Sequence, residues 1–578
     1  MRKEGGLKLV MTEEMASGSY AAHVTDEMAF TASMPHADEE MTAAAFMPHA
    51  DGEMTAVPFM PHVMREMTSA EYWISKVRDP DRVLADEGQI KALNKEIVGV
   101  PGCHLRDMLQ VAEHPLSGEQ EADPSAFQKH LLAEVRSYLS QFFGGDNFVA
   151  SGDPFTENEA AEILRNVFVD ETSRESANAG SGTPAGDSAN ADVGTPAGES
   201  ANAGSGTPAG ESANAGAGTP AGDCANAGVG TSAGDSANAG VGTPAGRAAL
   251  YGICTKMTDI RMGPTDLIVT DSLGDLDFDQ LQLDALKIND PVVIRAESAD
   301  GRYIYCDAAA MSGWVRKEDI AVCRDREEWL CAWNIPDADV VVVTQGKILL
   351  DESHVNPESS GRVLTMGCML RRVRPEAYDT SVTNRASFYN YAVYLPVRKG
   401  DGSYARTIAL IPMHSGVSAG FLPLTVRNIL TLAFSRIGDA YGWGGMLSTP
   451  DCSAYVREIY QCFGLVLPRN TIWQVEMPVR KWRMDSWSNE KKQKLLDTLQ
   501  PGALLLFKGH IMLYLGENGG RHYIVNALSS MMDPQTGSKV RVRSIVINTF
   551  EDSYRTSGKR WLEDLNTAMV PYVAGETM

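Results

Sequence analysis

The sequence is short of positive charge: 51 Lys and Arg stand against 75 Asp and Glu, a formal net charge of -24 over 578 residues. That balance opposes binding to nucleic acid, or to anionic membrane and wall polymers by electrostatics alone, and favours a small-molecule or peptide ligand. No apolar run reaches the roughly 18 residues that a spanning helix needs, so no membrane insertion is expected. The start, MRKEGGLKLVMTEEM, has basic residues but no apolar core of a secretion signal. The expectation is a cytoplasmic protein, with a secreted or surface protein as the alternative. The nine cysteines are scattered and never form a CxxC pair, which excludes a zinc ribbon or a disulfide framework and suits a reducing compartment. No metal or other cofactor is expected.

What is present is a chain too long for one core, punctuated by repeats. Residues 1–68 carry a 13-residue period in which Glu14, Glu27, Glu40, Glu53 and Glu66 each precede Met, and they read as low-complexity sequence. Residues 69–172 have helical apolar spacing at Leu131, Leu132, Val135 and Leu139 and form a mainly helical N-terminal block. Residues 173–248 hold 12-residue Ser/Ala/Gly units without an apolar stripe to bury, so a solenoid is excluded and a disordered tether expected. Residues 249–326 and 327–418 alternate apolar and polar residues in short runs, such as Pro291–Ile294 and Tyr391–Pro396, which predicts two small β-barrels. Residues 419–578 form an α+β block.

Chemistry concentrates in that last block. Thr425 can cap a helix ending near Gly438; Tyr441-Gly442-Trp443-Gly444-Gly445 makes a turn; a second helix starts at Cys452 with Asp451 as its cap and stops at Gly464. A cysteine in the first turn of a helix lies where unpaired N–H groups and the helix dipole favour a thiolate, the nucleophilic form. Cys462, near the other end of the same helix, has the opposite field and reads as structural. A thiolate needs a base, and the base needs an orienting partner. His510 opens a strand that turns at Gly516–Gly520 and returns through Asn526. A hairpin symmetric about Asn518 sets His510 opposite Asn526, so Asn526 is preferred over His522 as the orienter. The expected catalytic set is Cys452, His510 and Asn526.

At these residues the chain resembles the NlpC/p60 family of papain-like cysteine peptidases, through Tyr441-Gly442-Trp443-Gly444-Gly445, Asp451-Cys452-Ser453, Leu467-Pro468-Arg469-Asn470, Pro501-Gly502 and Gly509-His510. Within it, the chain is similar to γ-D-glutamyl-L-diamino acid endopeptidases with an N-terminal stabilising domain and two bacterial SH3-like domains. The resemblance implies cleavage of peptidoglycan stem peptides between γ-D-Glu and the diamino acid, on free muropeptides with an N-terminal L-Ala. It also implies that Tyr441, Trp443, Asp451 and Ser453 bind substrate, with Asp290 of the first barrel as an acid for the free amine. Where relatives carry a tyrosine, before Gly313-Trp314-Val315, this chain has Met311. The rival expectations are a secreted wall hydrolase with wall-binding barrels and a non-catalytic wall-binding protein.

Overall fold

The computed structural model describes residues 62–113, 124–143, 145–167 and 250–575. The 12-residue repeats and most of the 13-residue repeats lie outside them. All described residues fall within one compact unit, Met1–Phe168 with Thr243–Met578.

The first β-module is a seven-stranded antiparallel sheet. Its strands lie side by side in the order Gln282–Leu286, Thr258–Arg261, Ser312–Arg316, Tyr303–Asp307, Pro291–Glu297, Leu250–Cys254 and Ile320–Val322. Trp314, Tyr303, Ile260 and Leu281 fill its core, and the helices Pro124–Leu139 and Glu157–Val167 add Leu131, Val135, Tyr138 and Ile163 to the same cluster. The second β-module buries Val341, Val343, Leu364, Leu370, Val393 and Ile411 between short sheets and the long hairpin Asn390–Arg398 with Tyr404–Pro412.

The C-terminal block is a six-stranded antiparallel sheet ordered Val479–Arg483, Thr567–Ala574, Leu504–Phe507, His510–Asn518, Arg521–Met532 and Lys539–Thr549. Two helices flank it. The first, Val426–Phe434, is capped by Thr425 and stops short of Gly438, which turns the chain at positive φ. The second, Cys452–Gln461, buries Val456, Ile459 and Tyr460, each adding about 1.5–3 kcal/mol of apolar burial. Val63, Met67, Trp73, Ile90 and Leu93 join this core, while Met108 and Ala112 pack with Ile253, Val293 and Trp329, so the N-terminal helical residues pack into three separate clusters. Among the described residues, no helix is long and apolar enough to cross a membrane.

Candidate functional site

The cysteine is positioned by its cap and by two glycines. The Asp451 Oδ1 accepts from the Ala454 N–H at 2.9 Å, which fixes the start of the helix and leaves Cys452 as its first residue, buried at 8% exposure. Gly444 and Gly445 adopt φ of 59 and 84 degrees. Their backbone rests on the barrel strand Gln282–Leu286: a Cβ on Gly444 would stand 2.4 Å from the Gln282 Cγ, and one on Gly445 2.8 Å from the Ala285 Cβ. The turn before the cysteine is thus glycine both for its left-handed backbone and for its fit against the first β-module.

His510 opens its strand directly after the positive-φ Gly509 and pairs across the sheet with Phe507. Its ring lies 5.4 Å from the Phe507 ring and 5.6 Å from the Trp561 ring, centroid to centroid. Burial pushes the imidazole pKa down to about 4, against the opposing hydrogen bond to the Asn526 Oδ1, with the Arg555 cation adding to the depression. The imidazole Nε2 lies 2.8 Å from the Asn526 Oδ1. Asn526 in turn donates through Nδ2 to the Asn548 Oδ1 at 2.7 Å, and Asn548 donates to the Ser553 Oγ at 2.8 Å. Because Nδ2 is committed to Asn548, Oδ1 faces the ring, so Nε2 carries the proton and Nδ1 is the basic nitrogen.

The pairing that links the two residues is not the symmetric hairpin the sequence suggests. Leu513 pairs with Val525 and Tyr514 with Ile524, and a bulge between Tyr514 and Gly516 shifts the register toward the turn. Continuing that register sets 512 opposite 526, two residues on from the expected His510 pairing. The shift is even, so both side chains keep the same face, and the contact forms on the diagonal. His522 lies elsewhere: its Nδ1 is 2.8 Å from Glu551 and its Nε2 3.1 Å from Asp497.

Tyr441, Trp443, Asp451, Cys452, Ser453 and His510 line one cavity, and Asn526 is buried behind His510. Asp451 is heavily engaged there. Its oxygens also accept from the Ser453 hydroxyl at 3.0 Å, the Gly444 N–H at 3.2 Å and the Arg469 guanidinium. Burial alone would raise the Asp451 carboxyl, but Arg469 outweighs it and holds the group below the usual carboxylate range. Arg469 also reaches Asp284 of the barrel, at 2.6 Å, and Arg457 grips the same carboxylate through two contacts of 3.0 Å.

Asp290 is not part of this cavity. Its carboxylate closes a turn, accepting the Lys287 N–H at 2.7 Å, and burial pushes its pKa up to about 6. The barrel presents Phe278, Leu283 and Met311 instead. Sequence reasoning also missed Phe507, Lys508, Arg555 and Trp561, which complete the walls on the histidine side. Arg469 carried a usable signal, since an arginine inside an apolar run must be paired when buried; Arg555 and Trp561 carried none. Together the groups supply a thiol at a helix start, a neutral imidazole with one oriented nitrogen, and a walled cleft.

Residues 438–557 match the model of the NlpC/P60 family. The chain carries an NlpC/P60 domain. Residues 271–316 match the SH3 domain of SH3b1 type, which places an SH3b module against the NlpC/P60 domain at the glycine turn. A curated relative, dipeptidyl-peptidase 6 of Lysinibacillus sphaericus, is 30% identical over 110 residues, which is 18% of this chain and 36% of that protein. The chain thus spans little more than a third of that relative's length. In fold, the chain is similar to an NlpC/P60 endopeptidase from Photobacterium damselae subsp. piscicida, with 16% identity and a TM-score of 0.59 over 88% of this chain and 97% of that one. An NlpC/P60 family protein from Bacillus cereus ATCC 10987 matches at a TM-score of 0.34 and 15% identity, over 50% of this chain and 82% of that one. The family is one of cysteine peptidases and hydrolases, and the pairing of NlpC/P60 and SH3b domains fits a peptidoglycan-related substrate.

Proposed function

We propose that the protein is a cysteine endopeptidase that hydrolyses the bond between γ-D-Glu and the diamino acid of peptidoglycan stem peptides. The observation that carries this is the 2.8 Å contact between His510 and Asn526 in the wall of the cavity that Cys452 lines. His510 takes the Cys452 proton through Nδ1, the sulfur attacks the γ-glutamyl carbonyl, and the same nitrogen returns the proton to the departing amine of the diamino acid. Water then cleaves the thioester with His510 again as base. The developing oxyanion meets the N–H groups at the helix start, including that of Cys452. Release of a dipeptide, as in the name of the Lysinibacillus relative, suits a cut after γ-D-Glu. The expected preference for a free L-Ala amine loses support, because Asp290 lies away from the cavity. Incubation of L-Ala-γ-D-Glu-diaminopimelate peptides with wild type and Cys452→Ala, read by mass spectrometry, tests the reading. Product from wild type alone supports it. Equal product from both overturns the nucleophile, and no cut at this bond overturns the substrate.

A further inference from the structure

The last of the 13-residue repeats is folded onto the NlpC/P60 domain. Val63 is 6% exposed, Met67 1% and Trp73 0%, and all three enter the core beneath the six-stranded sheet. Three polar contacts fix the register. The Tyr523 hydroxyl donates to the His62 carbonyl at 2.9 Å, the His62 Nε2 lies 3.6 Å from the Asp552 Oδ2, and the Trp73 indole N–H donates to the Met67 carbonyl at 2.8 Å. The Trp73 and Tyr523 rings lie 5.1 Å apart. Between the anchors, Met64, Arg65 and Glu66 are exposed.

The same element recurs upstream in the sequence. At steps of 13 residues, His49, His36 and His23 stand where His62 does, and Met54, Met41 and Met28 where Met67 does. The exposed positions of Met64 and Arg65 vary, to Asp51 and Gly52 in one copy and to Asp38 and Glu39 in the next. The copies thus keep the contacting histidine and the buried methionine. They also keep Glu66, as Glu53, Glu40 and Glu27, and nothing in the structure explains that. We propose that Tyr523 and Asp552 mark a docking site for the element His-x-x-x-Glu-Met, and that the copies at 36–42 and 49–55, which lie outside the described residues, replace the resident one at 62–68 within the same chain. With Trp73 still seated, docking of 49–55 leaves residues 56–68 as a 13-residue loop between Thr55 and Ser69, far longer than the gap it has to span. Closing that loop carries a cost that grows slowly with length, and Ala50 buries less apolar surface than Val63. The resident element therefore holds the site in the intact chain, and the copies take it where the resident is weakened. The occupant bears on the catalytic side of the domain, whichever bond the cleft cuts: Asp552 precedes Ser553, which accepts from Asn548, and Asn548 accepts from the Asn526 that faces His510.

The test uses full-length chains and reads hydrogen exchange, by mass spectrometry, in the short helix Ala70–Ile74 that carries Trp73. Met67→Asp puts a charge at the buried position and disables the resident element. A second chain carries Met67→Asp together with Met28→Asp, Met41→Asp and Met54→Asp. Exchange should be about fivefold faster in the second chain than in the first, since one buried methionine is worth roughly tenfold or more in local opening. The three upstream substitutions without Met67→Asp should leave exchange as in wild type. Equal exchange in the two Met67→Asp chains overturns the replacement, and so does a Met67→Asp chain that cannot fold, because the copies would have kept it. Deletion of residues 56–68 joins Thr55 to Ser69 and brings His49 and Met54 into the places of His62 and Met67. That chain should protect the helix to within about tenfold of wild type, and Met54→Asp in it should remove the protection. Loss of protection in the deletion itself overturns the docking site. A Met67→Asp chain that elutes as a dimer overturns the same-chain exchange and assigns the copies to a second chain.

Discussion

At the scale of single residues, the behaviour of the site turns on a histidine that burial keeps neutral. An unfolded histidine titrates near about 6.5, while His510 is pushed down to about 4. Its folded pKa is depressed, so its share of stability is fully present above about 6.5 and is lost as the pH falls toward 4. The difference amounts to something on the order of 3 kcal/mol. His510→Gln lacks this term, so its stability relative to wild type, from urea unfolding at pH 7 and pH 4.5, should rise as the pH falls. A gap independent of pH would contradict the burial argument. NMR titration of the His510 ring in Cys452→Ser should give a midpoint near 4, and a midpoint above 6 would place the ring in a wetter setting than Phe507 and Trp561 provide. Asn526→Ala removes the contact that fixes the basic nitrogen, and kcat should drop about 10- to 100-fold with little change in KM. A loss confined to KM would assign Asn526 to binding instead.

The elements that carry these residues show what a sequence reveals and what it withholds. The helix from Cys452, its Asp451 cap and the stop at Gly464 were legible because caps and glycine stops act locally. The hairpin between His510 and Asn526 was legible as a hairpin but not in register, since the bulge after Tyr514 depends on how the strand twists within a six-stranded sheet. The expected contact between His510 and Asn526 forms all the same, because a slip of two residues preserves the face. Asp290 was misplaced for a different reason: which acid of a small barrel faces a neighbouring domain is decided by docking, and no local pattern encodes it. The glycine turn is where docking did leave a mark. Gly444→Ala would force a Cβ into Gln282 and a side chain into positive φ. A loss of about 1–3 kcal/mol is expected in thermal or urea unfolding, together with reduced activity as Cys452 shifts. Unchanged stability would show that the turn can move off the barrel freely.

At the scale of the whole molecule, a buried ionic cluster ties the first β-module to the NlpC/P60 domain. Asp284 of the barrel meets Arg457 of the cysteine helix and Arg469, and Arg469 in turn holds Asp451 beside Cys452. Lys287 of the barrel meets Glu458 at 2.9 Å, and Glu458 also binds Arg436. Removing one member of such a cluster leaves charge uncompensated. Asp284→Asn should therefore destabilise by about 3–5 kcal/mol and lower activity in the fraction that remains folded, measured by calorimetry and peptide turnover on the same sample. The SH3b module is then part of the cavity's wall, and the cavity's charge and apolar lining are properties of two domains rather than one. The central claim, that Cys452 becomes acylated by the γ-glutamyl group, is tested most directly by acid-quenching wild type with a stem peptide during turnover and mapping the adduct by mass spectrometry. The account predicts an L-Ala-γ-D-Glu thioester on the proteolytic fragment containing Cys452. Turnover with the adduct on another residue, or turnover undiminished in Cys452→Ala, would contradict it.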